Sequence, residues 1–157
     1  MLYKVLEKSG FDMDTVSDNL YGNYHDYYWE EEEKLLNLVN EARKQAGVKE
    51  LKYDVNLNAL CEIKMLEKSI YGMETFSQTI QYDGKTIAAG HVSQFYGRCT
   101  EMAKTFGLAE YRVGENAVTN ASNAAKAHNH LTNSEAHKNN YLDSDYEVAG
   151  FALKVSL

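Results

Sequence analysis

The sequence predicts an α+β fold in which helices dominate and surround a small sheet. Apolar residues recur at helical spacing over two long segments, residues 29–46 and 54–71. The segment Glu147–Leu157 instead alternates apolar residues with smaller or polar ones, which is the period of a strand. Both periods within one chain indicate helices and strands in the same domain.

Length and composition restrict the class of protein. The chain of 157 residues is long enough for one domain with a buried core, and its apolar fraction of 44% is typical of globular proteins. A net charge of −7 argues against a nucleic acid or an anionic membrane as partner, since phosphate binding needs basic residues. No stretch approaches the roughly 18 consecutive apolar residues of a transmembrane helix.

The two long helices have recognisable ends. Four glutamates, Glu30–Glu33, stand in the first turn of the first helix, where they complement the positive end of the helix dipole. Gly47 is suited to the position after its last turn. Asp54 is a good N-cap for the second helix, which we expect to end near Tyr71.

The middle of the chain predicts shorter elements. A turn is expected at residues 82–85 and a third helix over residues 87–106, which two glycines interrupt at a candidate break. Residues 111–119 are predicted as a strand. A short helix from about Ser122 follows, and then a turn at Ser134.

We divide the chain into an N-terminal arm, residues 1–28, and a main domain, residues 29–157. Leu2–Leu6 alternates like a strand. Aromatic residues crowd the end of the arm, and we interpret them as an amphipathic cover or, alternatively, as an aromatic binding surface. They are Tyr21, Tyr24, Tyr27, Tyr28 and Trp29. We expect no secretory signal within these residues, because no basic segment is followed by a long apolar run.

Two cysteines, Cys61 and Cys99, are too few for a disulfide framework or a cysteine-built zinc site. Each lies on an apolar stripe, where cysteine usually packs as a small hydrophobic residue. A bridge between them stays an alternative, since pairing requires close approach of their Cα atoms.

Two elements carry residues suited to a site. Gly114-Glu115-Asn116 interrupts the predicted strand, and a Glu that faces inward there needs a cation or strong donors to offset its burial. Ser134 is suited to cap a helix, which places His137 on the first turn. Taken alone, His137 is more typical of an ordinary surface histidine.

The order of these motifs resembles the CAP superfamily, which includes cysteine-rich secretory proteins, antigen 5 and plant pathogenesis-related proteins. Its bacterial members carry the same domain under the name SCP domain, and the segment Ser134–Leu142 is similar to theirs. The similarity covers about Glu33 to Val155. It rests on five motifs in order: Leu38–Arg43, Asp54–Leu57, Phe76–Gln78 with Asp83-Gly84, Gly114–Asn116 and Ser134–Leu142.

The resemblance implies a three-layer α-β-α sandwich in which helices flank a small antiparallel sheet. It also implies a cleft lined by two histidines and two acidic residues, which binds a divalent metal such as zinc in some members. Glu115, beside Asn116, matches one acidic residue, and His137 matches one histidine. Gln78 and Ser134 stand where the other histidine and acidic residue are usual.

Half of this four-residue set is therefore replaced. A metal held by Glu115 and His137 alone would be poorly bound, because zinc usually has three or four protein ligands, so we expect no cofactor. Gln78 cannot transfer protons near neutral pH, which disfavours catalysis. Three further histidines are alternatives as compensating ligands, although exposed or otherwise satisfied histidines are the expectation. They are His91, His128 and His130.

Members of the family usually close the sheet with one more strand after the one that matches Glu147–Val155. We expect Leu2–Leu6 to supply it. The alternative is a free sheet edge, which favours pairing with a second molecule and hence a homodimer.

We therefore expect a non-catalytic binding or interaction module of a secreted or surface-attached bacterial protein, with its cleft at Gln78, Glu115 and His137. The ligand stays open among cell-wall components, small amphipathic molecules and partner proteins. One alternative is a structural or assembly domain that uses the aromatic arm and the sheet edge. The other is a degenerate hydrolase in which Glu115 orients His137.

Overall fold

The computed structural model describes residues 25–71 and 76–153, together with Asp12 and Asp14. Within the two long ranges the helices are α1 His25–Gln45, α2 Val55–Tyr71, α3 Cys99–Thr105, α4 Ala124–Thr132 and α5 Glu135–Tyr141. The strands are β1 Lys52–Tyr53, β2 Thr79–Tyr82, β3 Lys85–Ala88, β4 Val92–Ser93, β5 Gly97–Arg98 and β6 Val148–Ala149. This combination confirms the α+β class.

The described strands pair two by two. β2 and β3 form an antiparallel hairpin around Asp83-Gly84, as the turn at 82–85 predicts, and β4 pairs antiparallel with β5. β1 and β6 are parallel, with Lys52 opposite Val148. The predicted strand Leu2–Leu6 and its role in the sheet lie outside the described residues. None of the described helices combines the length and the hydropathy needed to span a bilayer.

The two long helices are confirmed. α1 begins at His25, about one turn before the predicted start, and α2 begins directly after Asp54. The Asp54 Oδ1 atom accepts hydrogen bonds from the backbone N–H groups of Asn56 at 2.9 Å and Leu57 at 2.8 Å. Asp54 is thus the N-cap that its position in the sequence indicates.

Two of the glutamates in the first helix also join distant segments. Glu31 is buried, and its Oε2 atom accepts the backbone N–H of Ala124 at 2.7 Å at the start of α4. Glu32 is buried as well, and its Oε1 atom accepts the backbone N–H of Leu153 at 2.9 Å. The glutamate run therefore caps one helix and holds the chain after β6.

The prediction of a third helix over residues 87–106 is confirmed only after Gly97, where α3 spans Cys99–Thr105, and is wrong for residues 87–98. The chain instead completes β3, makes a 3-10 turn at Ala89–His91 and forms the β4–β5 hairpin before α3 begins. A buried carboxylate from α2 directs this path, because Glu67 accepts hydrogen bonds from the Ser93 hydroxyl at 2.6 Å and from the backbone N–H of Gln94. Gly97 completes the hairpin with a φ of 73°, which glycine adopts readily.

The predicted strands at residues 111–119 and Glu147–Leu157 are also largely wrong. Residues 111–119 have no strand partner among the described residues, and in the second segment only Val148–Ala149 is a strand. Side chains take the place of a ladder there, since Asn58 Oδ1 accepts the backbone N–H of Phe151 at 2.9 Å. The residues from 154 onward lie outside the described part.

The core joins α1 to α4, α5 and the segment after them. Val39, Leu51, Leu131 and Tyr141 form a buried cluster. Arg43, with no exposed surface, crosses this core and donates hydrogen bonds only to backbone carbonyls. Its acceptors are Lys49 at 2.7 Å, Tyr141 at 2.7 Å, Asp143 at 2.9 Å and Tyr146 at 2.9 Å.

Candidate functional site

The site is built on the buried face of α2. Lys64 and Lys68 lie one helical turn apart, and 6% and 8% of their surfaces are exposed. The Nζ atom of Lys64 is 2.5 Å from Oε2 of Glu115. The Nζ atom of Lys68 donates to the backbone carbonyl of Ala89 at 3.1 Å. The inward Glu115 is thus met by a cation, as its position in the sequence requires.

The second partner of Glu115 is a histidine. The Nδ1 atom of His91, at the end of the 3-10 turn, lies 2.7 Å from Oε1 of Glu115. The contact is a hydrogen bond in which Nδ1 donates when the carboxylate is ionised, because an ionised carboxylate only accepts. Both oxygens of Glu115 are therefore bonded to groups of the protein itself.

Sequence reasoning missed Lys64, and it named His91 only as an alternative compensating ligand without placing it beside Glu115. It assigned His91 to the third predicted helix, which Gly90 and Gly97 interrupt, so the direction of its side chain was not predictable. The only signal for Lys64 was its place within the unusually wide apolar arc of the second helix, where a lysine is expected to need a partner. That partner, Glu115, lies 51 residues further along the chain.

Asn116 links the Gly-Glu-Asn segment to α5. Its Nδ2 atom donates to the backbone carbonyl of His137 at 3.0 Å, and its Oδ1 atom accepts from Nδ2 of Asn140 at 2.9 Å. Ser134 caps α5 through its hydroxyl, which accepts the backbone N–H of His137 at 3.4 Å. Of the predicted site residues, Asn116, Ser134 and His137 are therefore connected directly.

The side chains of His137 and Gln78 do not bond to Glu115 in the described part of the chain. Burial, and then the nearby His91, lower the pKa of the His137 imidazole. Gln78 is exposed, and its backbone carbonyl accepts the N–H of Ala89 at 2.7 Å. The backbone of Gln78 therefore contacts the first residue of the 3-10 turn.

A groove of about 510 Å³ lies beside this network. We call it the His137 groove. It includes Ser134 and His137, whereas Gln78, Glu115 and Asn116 are not part of its wall. Its lining consists of Phe76, Ser77, Ala117, Val118, Thr119, Asn120, Asn129, His130, Asn133, Ser134 and His137. Amide, hydroxyl and imidazole groups thus share the lining with the apolar side chains of Phe76, Ala117 and Val118.

A divalent metal does not fit beside Glu115. Within the described ranges, no three His, Cys, Asp or Glu side chains are grouped to hold an ion. An ion on Glu115 would also stand next to the Lys64 ammonium. Unit charges about 4 Å apart repel by about 4 kcal/mol at an effective dielectric constant of roughly 20, and a divalent ion doubles that. Lys64 therefore occupies the position that a metal would need.

The thiols near Glu115 are poor nucleophiles. Cys61 and Cys99 are free rather than bridged. Burial raises the pKa of Cys61 to about 12, and burial followed by the charge of Glu115 raises that of Cys99. Because the thiolate is the reactive form, both side chains are unreactive near neutral pH.

Fold and site together define an α+β domain with a groove that contains no Asp, Glu, Lys or Arg among its described lining residues, beside a buried Lys–Glu–His network. A family model described as "CAP: Cysteine-rich secretory protein family" matches residues 36–156, well over half of the chain. The chain therefore belongs to the CAP superfamily, which confirms the resemblance found in its motifs. No curated protein and no solved structure gives a significant match.

Proposed function

We propose that this CAP domain is a non-catalytic binding module whose ligand occupies the His137 groove. The observation that carries the proposal is the closed bonding of Glu115. Its Oε2 atom is paired with Lys64 and its Oε1 atom with His91. A general base must direct a lone pair at its substrate, and a metal ligand must direct one at its ion. Glu115 directs both oxygens at the protein instead.

The lining of the groove favours a neutral ligand rich in hydrogen-bonding groups. Of the described residues that form it, none is Asp, Glu, Lys or Arg. The lowered pKa of His137 keeps that imidazole uncharged near neutral pH. Exposed amides such as Asn129 and Asn133 both donate and accept hydrogen bonds, which suits the hydroxyl and acetamido groups of a sugar chain. Among the three ligand classes, a cell-wall glycan fits best.

This ligand class agrees with a setting outside the cell. The description of the matching family names a secretory protein. The segment Ser134–Leu142 is similar to bacterial members, for which a cell-wall component is the nearest extended glycan. We therefore propose that the domain acts on the surface of a bacterium or in its surroundings.

Titration with soluble peptidoglycan fragments, followed by ¹⁵N NMR, tests the proposal. We expect saturable shifts confined to the His137 groove. The double variant Asn129→Ala/Asn133→Ala should weaken binding about thirtyfold, since two lost hydrogen bonds contribute about 1 kcal/mol each. Asn139→Ala, an exposed change on α5 outside the groove, is the matched control. Absence of any saturable shift in the groove would overturn the glycan assignment.

The contact between His91 and Glu115 favours a second candidate, a degenerate hydrolase. At 2.7 Å the carboxylate orients the imidazole as in a base–orienter pair. In this candidate Glu115 orients His91, whereas the sequence analysis expected it to orient His137. Release of sugar or peptide products from the same fragments, abolished in both Glu115→Gln and His91→Asn, would replace the first proposal with this one.

Exposed aromatic residues favour an assembly role as the third candidate. Trp29 and Tyr53 are 52% and 44% exposed, and their rings meet edge to face at 5.9 Å. A homodimer through this surface would lose affinity when Trp29 is replaced by alanine. Sedimentation equilibrium of the two proteins measures that loss, and a monomeric wild type excludes the dimer.

A further inference from the structure

The buried lysine at the centre of the network has no role in the proposed ligand binding. Only 8% of the Lys64 side chain is exposed. An ammonium removed from water is strongly destabilising unless an opposite charge lies beside it. Glu115 supplies that charge at 2.5 Å, and its own side chain is 19% exposed. Each of the two ions is therefore the main compensation for the other.

Helix α2 holds both sides of the 3-10 turn that carries His91. Before His91, the carbonyl of Ala89 accepts from Lys68. After it, Ser93 donates its hydroxyl to the buried Glu67 at 2.6 Å. The position of His91 beside Glu115 thus rests on anchors other than Lys64. A change at Lys64 should leave the carboxylate and the imidazole in place.

We propose that the Lys64 ammonium is the resident cation of this site. It takes the place that a divalent metal would occupy, so the domain folds without a metal. Its removal uncovers a latent but weak site for a divalent transition metal, in which Glu115 and His91 supply two ligands and water molecules supply the rest. Carboxylate oxygen and imidazole nitrogen are both ligands of zinc and nickel. The inference is independent of what the His137 groove binds.

Calorimetric titration with zinc chloride and nickel chloride tests the inference on three proteins. Lys64→Met keeps the length and packing of the side chain and removes its charge. We expect it to bind the ions at least roughly tenfold more tightly than the wild type, the scale on which neighbouring groups tune metal sites. The double variant Lys64→Met/Glu115→Gln should lose this gain. This dependence on Glu115 separates the latent site from scattered surface histidines.

Lys68→Met is the matched control, because it removes an equally buried lysine from the same face of α2 but leaves Lys64 on Glu115. It should gain no affinity for either ion. If Lys64→Met does not fold, Lys64→Gln replaces it, since an amide can donate one hydrogen bond to Glu115 without a charge.

The wild type provides an independent measurement. Its melting temperature should be the same before and after treatment with EDTA, because no metal contributes to the folded state. Two results overturn the inference. One is tight metal binding by the wild type that Glu115→Gln abolishes, and the other is a folded Lys64→Met protein with no gain in affinity.

Discussion

Asn116 donates a hydrogen bond to the backbone carbonyl of His137 at 3.0 Å, and this bond holds the Gly-Glu-Asn segment against the first turn of α5. The same side chain accepts from Asn140 on the next turn at 2.9 Å. One amide therefore fixes the distance between the ion pair of Glu115 and the wall of the His137 groove. Asparagine carries a donor and an acceptor on one planar side-chain amide. Glutamine carries the same amide on a longer side chain.

Asn116→Ala should therefore destabilise the domain by about 1–3 kcal/mol, because the carbonyl of His137 and the amide of Asn140 lose their partner in a partly buried place. Urea denaturation measures the change. Asn116→Asp keeps the acceptor for Asn140 but sets a carboxylate oxygen against the carbonyl of His137, so it should destabilise the domain at least as much. Equal stability of Asn116→Ala and the wild type would contradict the linking role.

Arg43 provides a stronger test of the scaffold. Arg43→Met should reduce the free energy of unfolding by at least about 3 kcal/mol, since four carbonyls lose a buried charged donor together. Arg43→Lys should recover little of it, because an ammonium cannot reproduce the planar fork of the guanidinium. The exposed neighbour change Lys44→Ala is the control and should have little effect. Thermal and urea unfolding should agree.

The histidine pair predicts a pH dependence. Burial and then the nearby His91 lower the pKa of His137 below its usual 6.5. The unfolded chain therefore binds a proton more readily than the folded one, and protonation favours unfolding. The contribution of His137 to the free energy of unfolding is complete at a pH above the pKa of this residue in the unfolded chain. It declines as the pH falls from that value to the lowered pKa of His137 in the folded domain.

NMR titration of the His137 ring checks the cause of that shift. In His91→Asn the electrostatic part should disappear, so the pKa of His137 should rise towards its usual value while remaining below it. His137→Gln should also flatten the dependence of stability on pH in the same window. A pKa of His137 that does not change in His91→Asn would show that the two rings do not interact.

The sequence predicted the long helices because their signals are local. Asp54, the apolar stripe of α1 and Gly47 act within a few residues of the element that they define. The first part of the third predicted helix failed because the path of residues 87–98 depends on Glu67, whose carboxylate holds Ser93 from 26 residues away. Apolar spacing carries no information about such a bond, and a single buried carboxylate outweighed the helical pattern.

The residues of the candidate site were also predictable only where their signals are local. Asn116, Ser134 and His137 were identified from short motifs, and the structure connects them by hydrogen bonds. Lys64 was not identified and His91 was named only as an alternative ligand, because their meeting at Glu115 combines a helix, a 3-10 turn and an irregular segment. The need for a cation at Glu115 was predictable from the cost of burying a carboxylate, whereas its source was not.

Gly114 explains why the Gly-Glu-Asn segment begins with glycine. A Cβ atom at this position would lie 2.3 Å from the Tyr146 hydroxyl and 2.5 Å from Oδ1 of Asn140. Gly114→Ala should therefore destabilise the domain by about 1–3 kcal/mol, the usual effect of overpacking. It should also disturb the bond between Asn140 and Asn116, since Asn140 must move.

A second change distinguishes this clash from a general effect on the backbone. In Gly114→Ala/Tyr146→Phe the nearest obstructing atom is absent, so part of the lost stability should return. The return should be incomplete, because the ring carbon Cζ of Tyr146 would still lie 2.9 Å from the new Cβ atom. Tyr146→Phe alone is the reference for the lost hydroxyl. If the double variant is no more stable than the sum of the two single changes predicts, the clash with Tyr146 is not what excludes a side chain at position 114.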